Sequence, residues 1–298
     1  MAEVTLTPRS GEVSGASAPV VIGGAERSRR FATTLIIVGG TILTVMVLAA
    51  LLAPVIAPWG EREVDPTAAL APPSADHWLG TDVNGMDIFS RLLYAARLDL
   101  GIAIGAIALA VVIGSAVGLV AGYYGGWVDD VLMRVVDIFQ SFPAFIMALV
   151  VASLMGGGVL DLVVVIAVVN APAYARLVRA EARSVREQPY VAAAVTSGVS
   201  HLSVMWRHVL PNCLTPVRVI APLNCGWAML TLAGLSYLGL GVPVPTAEWG
   251  AMINLGSGDV VAGHWWTSVP PGLFLLASVL GFSLLGEGLQ ERAEARRR

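Results

Sequence analysis

Six stretches of this chain, at about 32–58, 98–121, 132–156, 159–178, 214–241 and 268–288, are long, apolar and nearly free of charge. A hydrocarbon core about 30 Å thick takes roughly 20 helical residues to cross, so each stretch is long enough to span a membrane. Lipid offers no hydrogen-bond partners, so the backbone of each must satisfy itself as a helix. Of the 298 residues, 56% are hydrophobic and only 13% charged, which is outside the range of soluble domains. The chain is therefore expected to be an all-α, polytopic membrane protein with six transmembrane helices. The fourth stretch is the most interrupted, with Asn170, Pro172 and Arg176 in its second half, and its start near Val159 is the least sharply marked.

The charges orient these spans. Arg27, Arg29 and Arg30 precede the first, and the chain ends on Arg296, Arg297 and Arg298. By the positive-inside rule both termini are expected in the cytoplasm, so the loops near 122–131 and 179–213 fall inside and those at 59–97 and 242–267 outside. Only Arg62, Arg91 and Arg97 then lie on the outer side. Residues 1–30, mostly small and polar, read as a disordered cytoplasmic tail, and 31–298 as one transmembrane domain. The first apolar run exceeds a secretory h-region and follows a long polar leader, so it is expected to be retained. Trp59, Trp127, Trp265 and Trp266 fall at span ends, where indole rings favour the headgroup layer.

All 18 basic residues are arginine. Without lysine the chain has no P-loop and no Schiff-base chemistry, so any ATP that drives it is bound by another subunit. Cys213 and Cys225 are twelve residues apart on one apolar segment, about 18 Å along a helix, too far for a bridge. His201 and His208 share a helical face but have no third ligand nearby, so no metal site is expected. No H-E-x-x-H or G-x-S-x-G motif points to catalysis.

The segment 179–213 breaks the apolar pattern. Arg176, Arg179, Arg183 and Arg186 recur at helical spacing, as one polar face leaving the bilayer. Pro189 then opens a short helix, Gly198 closes it in a left-handed turn, and Ser200 caps a second helix reaching about His208 before Pro211. Ala192, Ala193 and Ala194 sit on the first helix, and Leu202, Met205 and Val209 on the second. Alanines on an exposed helix let another backbone approach closely, which suits insertion into a partner's groove. The alternative is a re-entrant loop folded under its own bundle.

This spacing resembles the EAA loop of ABC importer permeases: E-A-A, three residues, glycine, then a stretch ending H-x-L-P-N. Ala193, Ala194, Gly198, His208, Leu210, Pro211 and Asn212 match, while Ala192 stands where the family has glutamate. The resemblance extends from His77 to the C-terminus. HWLGTDVNGMDIFSRLLYAARLDL at 77–100, GYYGGWVDDVLMRVVDIFQSFP at 122–143, LSYLGLGVPVPTAEWGAMI at 235–253 and GFSLLGEGLQER at 281–292 follow in the family's order, with Met86 in place of an arginine. They are most similar to the second permease subunit of dipeptide and oligopeptide importers and their nickel-transporting relatives.

The resemblance implies a type I ABC importer permease fold and a division of labour. A second permease completes the pore, two cytoplasmic ATPases bind ATP and Mg, and an extracytoplasmic peptide-binding protein delivers cargo; no nucleic acid is involved. It assigns ATPase coupling to Tyr190, Ala192, Ala193, Ala194, Gly198, Leu202, Met205, His208, Pro211 and Asn212. The external elbow at Trp249 and Gly250, with Asp82 and Asp87, is the expected binding-protein contact; the alternative for such Pro-bounded loops is a rigid connector. Asn170 and Asn224 are expected on the substrate pathway or as interhelical hydrogen bonds. Asp137 and Glu287 are expected to pair with Arg134 and Arg292. Nickel chelates or antimicrobial peptides are alternative cargoes, and an ion-coupled secondary transporter is the rival of another class.

Overall fold

The computed structural model describes residues 22–295. Among them the regular elements are helices, joined by turns and irregular segments, with one isolated bridge between Thr81 and Asp87. The helices are α1 (Ile22–Ile56), α2 (Ile88–Tyr124), α3 (Gly126–Gln140), α4 (Ala144–Leu154), α5 (Val159–Arg186), α6 (Pro189–Thr196), α7 (His201–Val204), α8 (Leu210–Tyr237), α9 (Trp249–Val261) and α10 (Val269–Glu294). A π turn, Met205–Val209, joins α7 to α8, and a 3-10 turn, Trp265–Thr267, precedes α10. Residues 22–30 of the expected tail belong to α1; the remainder, 1–21, lies outside the described residues, as do the last three arginines.

Five helical segments are long and apolar enough to cross a membrane. The expected third span, 132–156, falls on α3 and α4, which pass the same test only together and are bent 88° at a short break, as a broken span or a re-entrant loop. The break falls at Ser141–Pro143. Pro143 has no N–H to continue the ladder, and its ring drives Phe142 out of helical conformation, so α4 restarts with Pro143 as its N-cap. α3 buries Asp129, Met133 and Val136, spaced as one helical face. α2 begins at Ile88 rather than near 98, so the second span extends through what hydropathy assigned to the outer loop.

The tightest helix pair is α2 against α5. Gly114, Gly118 and Gly122 recur every fourth residue on α2, and each faces the α5 backbone: a methyl group there would overlap the carbonyls of Ala171, Ala175 and Arg179 respectively. Small residues at this spacing let two membrane helices touch main chain to main chain. At the far end of the same pair, Asp129 of α3 grips Arg179 and Arg183 of α5, with Arg179 Nη2 donating to its Oδ2 at 2.6 Å.

Residues 57–87 form a folded cap over the start of α2. Asp87 caps α2 by accepting the Ser90 N–H at 2.7 Å, and its other oxygen meets His77 Nδ1 at 3.0 Å. The His77 ring stacks on Trp59 with centroids 4.7 Å apart. Trp266 donates from its ring nitrogen to the Thr81 carbonyl. Trp59 and Trp266 are thus structural pieces of the cap rather than headgroup anchors, whereas Trp127 and Trp265 stay exposed. Asp87→Ala removes a helix cap worth ~1 kcal/mol and strands His77. Trypsin should then cut after exposed Arg62 about fivefold faster than in the wild type, since cleavage tracks the open population; an unchanged rate would show that the cap is held elsewhere.

Candidate functional site

The segment between α5 and α8 folds as an elbow. Pro189 occupies the first turn of α6, Gly198 ends it at φ +82°, and Ser200 caps α7 by accepting the Ser203 N–H. A left-handed turn at that φ is open to glycine and costly for most other residues. The second helix does not stop before Pro211. It widens into the π turn, where the Leu210 N–H reaches the Met205 carbonyl, and continues as α8. The wide turn accommodates Pro211, which has no N–H for a regular ladder.

Two faces result. Val191, Val204, Met205 and Val209 turn inward and join the bundle core, so Met205 is an anchor and not part of the outer surface. Tyr190, Ala192, Ala193, Gly198, Leu202, Pro211 and Asn212 are exposed, joined by Trp206, and Ala194 and His208 are half-buried. Asn212 Nδ2 donates to Tyr190 Oη at 3.2 Å and to the His208 carbonyl at 2.7 Å, clamping α6 onto the start of α8. Tyr123, at the end of α2, holds the other side through a 2.8 Å contact between its hydroxyl and His201 Nδ1. The exposed face is therefore rigidly mounted on α2, α5 and α8.

A cavity of ≈740 Å³ opens between α3, α4, α5 and α8. Asn170 and Asn224, one from each long helix, both line it. Asn224 Nδ2 donates to Tyr174 Oη and Asn170 Nδ2 to the Ile166 carbonyl, each at 2.8 Å. The same wall carries Asp137, Gln140, Arg176, Trp227 and Thr231. Asp137 pairs with Arg176 of α5 at 2.6 Å, not with Arg134 of its own helix, and among the described residues no Glu287–Arg292 pair forms. Trp227 and Thr231 were missed by sequence reasoning, although they share a helical face with Asn224 at spacings of three and seven. A second cavity of ≈470 Å³, beside Met155, Gly241 and Asn254, lies nearer the cap.

The four residues expected to meet a binding protein are all buried. Asp82 accepts the N–H groups of Asn84 at 2.8 Å and Met86 at 3.0 Å within its own turn. Asp87 is the α2 cap described above. Trp249 is fully enclosed, its ring donating to the Leu92 carbonyl and its backbone N–H to buried Asp99. Gly250 presses on Ala233 of α8, where a side chain would clash. These residues are packed inside the fold and do not form its surface, and half of the loop at 242–267 is itself α9. Glu248 caps α9 by accepting the Gly250 and Ala251 N–H groups at 2.9 and 2.7 Å. Its burial pushes its carboxyl above the ordinary carboxylate range, against the opposing pull of those two donors. Arg91 joins the two outer segments by donating to Met86 Sδ and to the Pro245 carbonyl, each at 2.9 Å.

A bundle of lipid-facing helices around a polar-walled cavity, carrying a rigid exposed elbow at one end and a folded cap at the other, defines a membrane transport subunit. Residues 114–298 match the family described as the binding-protein-dependent transport system inner membrane component, and 29–73 match the N-terminal transmembrane domain of oligopeptide transport permease C. The chain belongs to this family of ABC transport permeases. It is 39% identical over 257 residues to the dipeptide transport system permease protein DppC of Alkalihalophilus pseudofirmus, covering 86% of this chain and 84% of that one. It is 39% identical over 220 residues to the glutathione transport system permease protein GsiD of Pectobacterium atrosepticum, covering 74% and 72%. It is 37% identical over 257 residues to the probable D,D-dipeptide transport system permease protein DdpC of Escherichia coli, covering 86% of each.

Proposed function

We propose that this chain is one of two pore-forming permeases of an ATP-driven importer of dipeptides or oligopeptides in the bacterial inner membrane. A related permease completes the pore. Two ATPases bind ATP and Mg beneath the elbow, an extracytoplasmic peptide-binding protein delivers cargo to the cap side, and the chain itself catalyses nothing. The arginine distribution supports placing both termini and the elbow in the cytoplasm. Relatives named for dipeptides and for glutathione, itself a small peptide, support the cargo class.

The observation that carries the mechanism is continuity. α5 runs into the elbow and α8 runs out of it, and the same two helices wall the ≈740 Å³ cavity. A displacement imposed on α6 and α7 by closing ATPases reaches the cavity through helices, so access alternates as they rock. ATP biases one state and hydrolysis releases it, because a ligand shifts an equilibrium only through differential affinity. The test is uptake of labelled dipeptide by the reconstituted four-subunit complex with its binding protein. Uptake should require ATP; uptake driven by a proton gradient without ATP would overturn the reading. Tight metal-chelate binding with no peptide binding by the delivery protein would overturn the peptide assignment.

A further inference from the structure

The cavity wall carries a pair of opposite charges that the coupling mechanism leaves without a task. Arg176 Nη2 donates to Asp137 Oδ1 at 2.6 Å, and the two side chains are 51% and 55% exposed. The bond is single. Among the described residues no other side-chain hydrogen bond or ion pair reaches the carboxylate of Asp137 or the guanidinium of Arg176, although Asp137 also lies within electrostatic reach of Arg179. α3 is already tied to α5 nearby, where the buried Asp129 carboxylate has both oxygens taken by Arg179 and Arg183. An exposed, singly bonded pair adds at most ~1 kcal/mol to stability. Holding α3 to α5 therefore does not explain why these charges stand on the cavity wall.

We propose that Asp137 and Arg176 form a site for the two charged ends of a short zwitterionic peptide. The substrate ammonium sits on the free oxygen of Asp137 and its carboxylate on the free edge of the Arg176 guanidinium, closing a ring of four alternating charges. This rests on the importer reading and adds the substrate class to it. Guanidinium presents a flat fork that matches a carboxylate, and such charge-assisted bonds are the strong ones. An extended chain spans about 3.5 Å per residue, so both ends of a dipeptide reach two adjacent side chains and those of a tetrapeptide do not. Beside the pair, Asn170 and Asn224 each commit an amide N–H to the protein, leaving their carbonyl oxygens as acceptors for a peptide N–H. Exposed Phe142 and Trp227 add apolar surface to the wall of the same cavity. The site reads termini and tolerates varied side chains.

The test bypasses the binding protein by trapping competitors inside liposomes that hold the complete transporter. Import of a labelled cargo is followed against rising internal dipeptide, its C-terminal amide or its N-acetyl form. The free dipeptide should slow import at roughly tenfold lower concentration than either blocked form, the size expected for one charge-assisted bond. R176Q should erase the difference between acid and amide, and D137N the difference between free and acetylated amine. Equal potency of all three competitors on the wild type, or a variant that keeps the full discrimination, overturns the site. Should a variant fail to assemble, the wild-type comparison decides alone, with a photoreactive residue at Gln140 expected to label with free dipeptide and not with its amide. Failure of the wild-type complex to import any peptide with ATP counts against the importer reading instead.

Discussion

Gly118→Leu should leave almost no correctly folded subunit. The residue sits in the middle of the α2 ladder, where even a methyl group would overlap the Ala175 carbonyl and the Arg179 N–H of α5. A leucine cannot be accommodated by rotamer change, because its first side-chain atom already meets backbone. The two longest-contacting helices must separate, and overpacking of this kind costs ~3 kcal/mol or more, a large part of typical net stability. Gly101→Leu is the control: it lies on the same helix with nothing within 4 Å of its position and should be nearly neutral. Monodispersity and melting of the purified membrane protein measure the contrast. Comparable behaviour of the two variants would show that the ladder is not what holds α2 to α5.

The second large effect is on coupling, with folding spared. Gly198→Glu should abolish association with the ATPases while the protein remains in the membrane at normal levels. Gly198 has φ +82° and open space around it, so no clash with its own chain is expected. The substitution combines left-handed strain of about 1–2 kcal/mol with a charge on the exposed face beside Ala193. Gly198→Asn separates these contributions, because asparagine tolerates the left-handed turn and adds no charge; it should retain most ATP-driven uptake. Co-purification of the Glu variant with a full complement of ATPase would refute the docking role of this face.

Much of this was legible from residue order. Each hydropathic stretch falls on a helix or, for the third, on a bent helix pair, although α1 and α2 begin about ten residues earlier than hydropathy places them. α5 starts at Val159, and the elbow follows Pro189, Gly198 and Ser200 as turn chemistry dictates. Local signals were also present and misread. Asp87 three residues ahead of Ser90, and Glu248 just ahead of Trp249, are helix caps; the expected binding-protein contact includes Asp87 itself and the two residues that Glu248 introduces, Trp249 and Gly250. The every-fourth-residue glycines of α2, Gly114, Gly118 and Gly122, are equally visible in the sequence. Other features are long-range and have no signature in a window of sequence: Arg91 reaching Pro245, Asp129 reaching two arginines of α5, and Asp137 choosing Arg176 over Arg134. The sequence shows Arg176 as an interruption of the fourth span and as part of a polar stripe, and its place on a cavity wall arises only once α3 packs beside α5.

The wide turn at Met205–Val209 sets the angular phase between the elbow and the cavity wall on α8. One surplus residue is held there, and each residue of a regular helix advances the chain by about 100°. Deleting a single residue from this turn would let the backbone close into an uninterrupted ladder and swing the grip surface round relative to Asn224 and Trp227. Changes of length between Ser203 and Asn212 should therefore uncouple the machine more thoroughly than any single replacement within the same stretch.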